Sequence, residues 1–222
     1  MSLKNGKKKL IVAIVPFYNE GDFINQTIAK CVDFVDYIIA VNDGSNDNFE
    51  ISLTSGKIIL LNHPSNLGKG AALKTGFLKS IEMNSDYTIC LDGDLQHPPD
   101  LIPNFIEKIK NFDIVIGKRR RKAGEMPFIR ILSNSISSFL LGLKLKQKIY
   151  DSQCGYRAFK TNKIMDILPE TDGFESETEM LIKASRKNYS TGWVEIPAIY
   201  GNEKSKMTKF KTTLNFIYLL LK

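Results

Sequence analysis

Two histidines and three cysteines are all that this chain of 222 residues offers of the usual transition-metal ligands. His63 and His97 stand alone, with no cysteine or second histidine at ligand spacing, so zinc is disfavoured and both are expected to be loop or surface histidines. Cys31, Cys90 and Cys154 are odd in number, far apart and free of any CxxC pairing, and no secretory signal precedes the first apolar run. The expected compartment is therefore the reducing cytoplasm. Also missing is an apolar run of about eighteen residues, the length a spanning helix needs. The nearest approach, residues 214–221, is too short to cross and is flanked by lysines, which suits packing or lying on a membrane surface. Internal repeats, low-complexity tracts and Pro/Gly-rich linkers are absent too, and nothing else marks a second domain. The expected organisation is a basic N-terminal segment (1–9), one domain (10–210) and an apolar, basic C-terminal helix (211–222).

What the chain does have is positive charge, 31 Lys and Arg against 24 Asp and Glu. The excess gathers at Lys7 to Lys9, at Lys118 to Lys122 and between Lys204 and Lys211. Clustered cations attract an anionic partner, whether nucleic acid, phosphorylated metabolite or acidic lipid. Aromatic residues are not interleaved with them, which disfavours a single-strand nucleic-acid groove.

Five apolar runs, Leu10–Val15, Tyr37–Val41, Lys57–Leu61, Tyr87–Leu91 and Asp113–Ile116, are β-branched and unalternating, the pattern of strands buried on both faces. The first is expected to stop at Pro16. Helical spacing separates most of them: Phe23, Ile24, Ile28 and Val32 suit one face, as do Ala71, Ala72, Leu73, Phe77, Leu78 and Ile81. The connection after Asp47 is too short for a full helix. This alternation predicts a doubly wound α/β domain with a mostly parallel sheet flanked by helices, whose ligand crevice lies beyond the carboxyl ends of the strands. After residue 117 the pattern becomes a basic loop, an apolar segment (128–145) and a polar segment (150–160). Two helices (around 161–168 and 175–187) and a late strand (193–200) follow.

The polar loops fall where that crevice is expected. Asp92-Gly93-Asp94 places two carboxylates at a strand end, with a glycine that lets a ligand approach the backbone. Oxygen donors in that arrangement suit magnesium or manganese, which draws the rest of its shell from substrate phosphates; the bland alternative is a solvated turn. Asp43 suits either a base or ribose contact or a simple turn. Lys69, between Gly68 and Gly70 at a helix start, suits either an anion or a tight helix entry. Arg119, with Arg130 second, is the cation of choice for a phosphate, against a solvated basic loop. Glu175 and Glu179 lie one helical turn apart and Glu177 faces elsewhere, while helix-start carboxylates also serve the helix dipole.

Taken together, Pro16-Phe17-Tyr18-Asn19-Glu20, Asn42-Asp43-Gly44-Ser45-Asn46-Asp47, Asn66-Leu67-Gly68-Lys69-Gly70, Asp92-Gly93-Asp94-Leu95-Gln96-His97-Pro98 and Asp151-Ser152-Gln153-Cys154-Gly155-Tyr156-Arg157 resemble the family 2 glycosyltransferases, and most of all the dolichyl- or polyprenyl-phosphate mannose (or glucose) synthase branch. The resemblance implies a GT-A fold and inversion at the anomeric carbon. It assigns Pro16, Tyr18, Glu20 and Asp43 to the nucleotide, and Asp92, Asp94 and Gln96 to metal and diphosphate. Arg119 and Arg130, with Ser133, match positions that meet phosphates, and Glu177 matches an acidic position near the donor sugar. Tyr200 to Lys206 departs from the pattern, lacking the arginine that usually precedes a Gly-x-Ser-Lys segment. Lys204 or Lys206 could stand in only as a point charge.

The expected activity is thus metal-dependent transfer of a hexose from a nucleotide sugar, of the GDP-mannose or UDP-glucose type, to a polyprenyl phosphate, at or near the inner face of a membrane. A hydroxyl acceptor in cell-wall or polysaccharide synthesis would require a general base, for which Asp151, Glu175 and Glu177 are available. The rival classes are a nucleotidyltransferase, which needs a similar metal site, and a basic module binding nucleic acid or a membrane surface.

Overall fold

The computed structural model describes residues 8–47, 49–52, 55–120, 128–199 and 215–220, without the side chains of residues 22 and 128–130. Its centre is a seven-stranded sheet of order β3-β2-β1-β4-β6-β5-β7, formed by β1 (Ile11–Phe17), β2 (Tyr37–Asn42), β3 (Ile58–Asn62), β4 (Tyr87–Cys90), β5 (Ile114–Arg119), β6 (Arg157–Lys160) and β7 (Thr191–Ile196). All neighbours are parallel except β6, which runs antiparallel to both β4 and β5. The helices are α1 (Asp22–Cys31), α2 (Lys69–Glu82), α3 (Ile102–Ile109), α4 (Phe128–Leu145), the single turn α5 (Thr161–Ile164) and α6 (Ser176–Arg186). Among the described residues no helix joins β2 to β3, as the short connection after Asp47 predicts.

The expected doubly wound order holds from β1 to β4, where apolar runs fill a two-faced core: Val12 to Val15 and Ile38 to Val41 are fully buried. Ile24 and Ile28 of α1 cover one side of these strands, and Ala72, Leu73 and Phe77 of α2 are buried in the same core. Leu78, assigned to the inner face of α2, is instead 44% exposed. Pro16 does not end β1. It pairs in register with Val41 on one side, while β4 has already left the other side at Ile14 opposite Cys90, so no ladder bond is lost to the missing N–H.

Three differences from the sequence reading lie in the second half. Lys118 and Arg119 belong to β5, not to a loop, because β7 pairs with them through Glu195 and Ile196. β6 sits in the middle of the sheet although Arg157-Ala158-Phe159-Lys160 has no strand-like run. Cross-strand neighbours on both sides make it a strand. Helix α4 is inverted: Asn134, Ser137 and Ser138 are buried with Leu141, whereas Leu132, Ile136, Phe139, Leu140 and Leu143 are exposed.

Candidate active site

The loops leaving β1 and β2 are joined by side chains that were picked out for their polarity alone. Asn19 adopts φ 51°, a left-handed conformation asparagine tolerates. Its amide oxygen accepts from the N–H of Asn46 (2.9 Å), and its own N–H donates to Ser45 Oγ (2.9 Å). The N–H of Gly21 donates to Asp47 Oδ2 (2.8 Å), so the two loops act as one wall. Tyr18 and Glu20 are half-buried on that wall, and Pro16 is buried within the strand beneath it.

Asp43 is only 3% exposed and organises the next loop. Oδ1 accepts from the N–H of Leu67 (2.9 Å) and lies 2.7 Å from His63 Nδ1, while Oδ2 accepts from the N–H of Gly68 (2.8 Å). His63 is completed by Thr75 Oγ1 at 2.9 Å from Nε2. A carboxylate bound this often is fixed in orientation and holds the entry to α2. Gly44 at φ 70° is needed there, since a Cβ would fall 2.2 Å from the carbonyl carbon of Ser65.

Helix α2 opens with a lysine and has no acidic residue in its first turn, an arrangement the helix dipole opposes. Two carboxylates offset it: Lys69 Nζ lies 2.7 Å from Asp92 Oδ1 and 3.1 Å from Glu177 Oε1. The three side chains come from the start of α2, the end of β4 and the start of α6. The ammonium holds the Asp92 carboxyl down, to about 2, against burial that pushes it up, and the two carboxylates raise the proton affinity of Lys69 in return. Gly155 closes the cluster from below: a Cβ there would stand 2.8 Å from Glu177 Oε1, 2.9 Å from Lys69 Nζ and 3.2 Å from Asp92 Oδ2. Buried Arg157 fixes the surrounding backbone by donating to the carbonyls of Cys154, Ser152 and Glu177.

Asp94 behaves oppositely to its neighbour. Burial first, and then the negative charges of Asp92 and Glu20, push its carboxyl up to about 7, although Oδ1 accepts from the N–H of Gln96 (3.0 Å). Leu95 between them sits at φ 63°, a conformation a branched apolar side chain avoids and which functional loops retain at a cost of roughly 1–3 kcal/mol. The pair Asp92 and Asp94 with the amide of Gln96 is an oxygen-only donor set that fits a hard divalent cation. Among the described residues no group of three or more His, Cys, Asp and Glu is arranged to hold a metal by itself.

Both histidines lie in loops, one of the two placements expected from sequence, and neither is exposed. The His63 side chain is 9% exposed, and His97 is 6% exposed, its ring tilted against Tyr156. His97 Nδ1 accepts from the N–H of Asp92 (3.0 Å), and burial keeps the imidazole below its usual proton affinity, so its 3.7 Å approach to Asp92 Oδ2 is a packing contact of a neutral ring. A fold that uses its only histidines as buried donors and acceptors leaves no sequence signal for them; spacing searches look for metal ligands.

Arg119, at the end of β5, forks onto Asp151 through Nε (2.7 Å to Oδ2) and Nη2 (2.9 Å to Oδ1). Asn134 of α4 donates to the same Oδ1 at 3.0 Å. These partners hold Asp151 well below the usual carboxylate range despite its burial. Arg119 also bears electrostatically on Asp92 and His97, so it belongs to the same site edge. Ser133 is on the exposed side of α4, away from Asn134, and the side chain of Arg130 lies outside the described residues, as does the segment containing Lys204 and Lys206. Of the acidic run in α6, Glu177 meets Lys69, Glu179 accepts from the N–H groups of Glu170 and Thr171, and Glu175 accepts from Asn215.

A mostly parallel sheet with an antiparallel β6 in its centre and an acidic cluster at the β4 edge is the GT-A arrangement. The described chain superimposes on glucosyl-3-phosphoglycerate synthase from Mycobacterium tuberculosis, solved with Mn2+ and UDP-glucose, with a TM-score of 0.77 over 96% of this chain and 78% of that one, at 18% identity. Residues 12–168 match the family described as "Glycosyl transferase family 2", and the chain belongs to it. It is 32% identical to the UDP-N-acetylglucosamine–dolichyl-phosphate N-acetylglucosaminyltransferase of Methanococcus voltae over 86% of either chain. It is 29% identical to the dolichol-phosphate mannosyltransferase of Pyrococcus furiosus over 94% of this chain and 61% of that protein. The protein is a glycosyltransferase.

Proposed function

We propose that the enzyme moves a hexose, with inversion, from a nucleotide sugar of the GDP-mannose or UDP-glucose type to a polyprenyl phosphate. The observation that carries this reading is the convergence of Asp92 and Glu177 on Lys69, with Asp94 and Glu20 bearing on each other beside them, at the carboxyl ends of β1 and β4 and the start of α6, where a sheet of this kind takes its ligand. Pro16, Tyr18, Glu20 and Asp43 receive the nucleoside, with Asp43 oriented by His63. Asp92, Asp94 and Gln96 hold magnesium or manganese, which when bound neutralises charge developing on the leaving diphosphate. Lys69 is a preorganised cation for the same phosphates, and Glu177 stands near the sugar. Arg119, with Arg130 and Ser133, meets the phosphate of the acceptor. In the reaction an acceptor phosphate oxygen forms a bond to the anomeric carbon as the bond from that carbon to the diphosphate breaks, its electron pair leaving with the nucleoside diphosphate.

A phosphate oxygen is already ionised at neutral pH and needs no base, whereas a hydroxyl does. Asp151, one of the bases available by sequence, is committed to Arg119 and Asn134 and has a depressed proton affinity, which makes it a poor base and supports the phosphate acceptor. The two dolichyl-phosphate relatives support it as well. We assign the activity to residues 10–210, place it in the cytoplasm at the inner face of a membrane, and take 211–222 as a surface-contacting helix.

A thermal-shift panel of nucleotide sugars with manganese, followed by transfer assays with polyprenyl phosphate and with a saccharide, tests the proposal. Stabilisation by one nucleotide sugar together with manganese, and product on the lipid phosphate, is expected. Stabilisation by a nucleoside triphosphate instead, with pyrophosphate released, would overturn it in favour of a nucleotidyltransferase. Transfer to the saccharide alone would overturn the acceptor.

A further inference from the structure

Arg157, the first residue of β6, is a cation buried in the middle of the sheet at 2% exposure. It stands opposite Cys90 of β4 on one side and Ile116 of β5 on the other, so the strands flanking it are those that run on to Asp92 and to Arg119. A buried charge is costly unless it is paired, and an apolar side chain of similar volume would pack in its place without that cost. Among the described residues no carboxylate is bonded to Arg157. Its hydrogen bonds go to three backbone carbonyls instead: Nε to Cys154 (2.8 Å), Nη1 to Glu177 (2.6 Å) and Nη2 to Ser152 (3.0 Å). A guanidinium spent in this way fixes backbone, and what it does depends on which backbone it fixes.

Ser152 and Cys154 belong to the loop that begins at Asp151, the carboxylate that forks onto Arg119. Asp151 Oδ1 also accepts from the N–H of Gln153 (3.2 Å), so the carboxylate is tied to the loop that Arg157 holds. Gly155 of the same loop lies under the Lys69 cluster. Glu177, at the start of α6, is fixed at both ends: its carbonyl by Arg157 and its carboxylate by Lys69 at 3.1 Å. One rigid, planar side chain thus ties the loop that orients Arg119 to the helix that presents Glu177. A lysine at the same place would offer a flexible point charge and could not hold three carbonyls in one plane. The nucleotide side is bonded elsewhere, Asp43 to His63 and the amides before α2, and Asp94 to the amide of Gln96.

We propose that Arg157 is a positioning residue for sugar transfer: by clamping the backbone of Glu177 to the loop of Asp151, it sets the separation between the Glu177 carboxylate and the Arg119 guanidinium. Groups that are misplaced by about 1 Å lose on the order of 100-fold in rate, so the clamp acts on turnover and not on donor affinity. The inference rests on the functional reading for what Glu177 and Arg119 face.

The experiment is a double-mutant cycle on the full chain, with steady-state kinetics of wild type, Arg157→Lys, Glu177→Gln and the two together, using nucleotide sugar, manganese and polyprenyl phosphate. Arg157→Lys is expected to lower kcat about 100-fold while the donor KM stays within about threefold. It should keep the rise in melting temperature that manganese and nucleotide sugar produce together. The double variant should lose far less than the product of the two single losses, because Arg157 acts through Glu177. Guanidinium added to Arg157→Ala, against sodium chloride at the same concentration, should recover part of the lost kcat by donating to the same carbonyls. Single losses that multiply overturn the proposal, as does a wild-type kcat in Arg157→Lys. Should an Arg157 variant melt below the assay temperature, guanidinium decides: melting restored with turnover supports the clamp, and melting restored without turnover reduces Arg157 to a packing residue. A wild-type chain that is stabilised by donor but transfers nothing to polyprenyl phosphate sinks the acceptor reading instead. The cycle is then read on hydrolysis of the nucleotide sugar, in which water takes the place of the acceptor, so the two failures are distinguishable.

Discussion

The half of the molecule from β1 through β4 and the segment from β5 through β6 lie in one sheet but are built by opposite rules. In the first, apolar side chains point inward and each loop is bound by its neighbour, as Asn19, Asp43 and Asp47 show. In the second, cations extend β5, serines and an asparagine are buried, and leucines and a phenylalanine face out. The first half is thus closed by contacts within the chain. The other is stabilised by polar contacts inside and leaves apolar side chains of α4 exposed.

The sharpest way to break that contrast is at Asp94. Asp94→Asn should leave the fold intact and lower turnover by about 1000-fold or more, read as kcat beside an unchanged circular-dichroism melt without metal. Turnover near wild type would remove the donor half of the argument. Lys69→Met comes next. It leaves Asp92 and Glu177 facing each other, and unfolding titrations without metal should show a loss of about 2–4 kcal/mol, below the figure for a fully buried pair because the Asp92 side chain is 29% exposed. Manganese should recover part of it, since a divalent cation restores the missing positive charge.

On the other side the effects are smaller and opposite in kind. Asn134→Leu puts an apolar residue on the buried face of α4 and leaves Asp151 short of a donor, so it should destabilise by about 1–3 kcal/mol even though the helix becomes more hydrophobic. Asp151 also sets a pH dependence. Its proton affinity is lowered in the folded state, so its contribution is fully present above the ordinary carboxylate value of 3.8 and disappears as pH falls through the depressed folded value. An acid titration of stability should therefore steepen below about pH 4, and Asp151→Asn should flatten that limb while lowering stability at neutral pH. Phe139→Ser, finally, should change stability by no more than about 0.5 kcal/mol, because its ring is not part of the core. A large loss there would show that α4 packs conventionally and would erase the contrast.

Legibility followed the same division. Strands β1 to β4 could be read because each is an apolar run, and their boundaries shifted by only a residue or two, as at Pro16; the expected burial on both faces fails at β3, an edge strand whose Leu60 is exposed. Asp43, Asp92 and Asp94 stood out as polar residues after such runs, and Lys69 as a cation between two glycines at a helix start. Glu177 was legible only through family resemblance, since its partner Lys69 is more than a hundred residues away. β6 was invisible: four residues led by an arginine have no strand signal, and only pairing on both edges makes them one. His63 and His97 lie in loops as the sequence suggests, but their enclosure was not legible, because nothing local distinguishes a loop histidine bonded inside the fold from one that meets water.

The sequence by itself determined the class of fold, the edge of the sheet that carries the polar loops, and the family, because these depend on local periodicity and on motifs in order. Only the tertiary structure decided that Lys69 lies between Asp92 and Glu177, that Gly155 must lack a side chain beneath them, and that α4 turns its apolar face outward. Each of those depends on distances between segments far apart in the chain, and a helix pattern specifies an apolar stripe without saying which side of the stripe the protein will occupy.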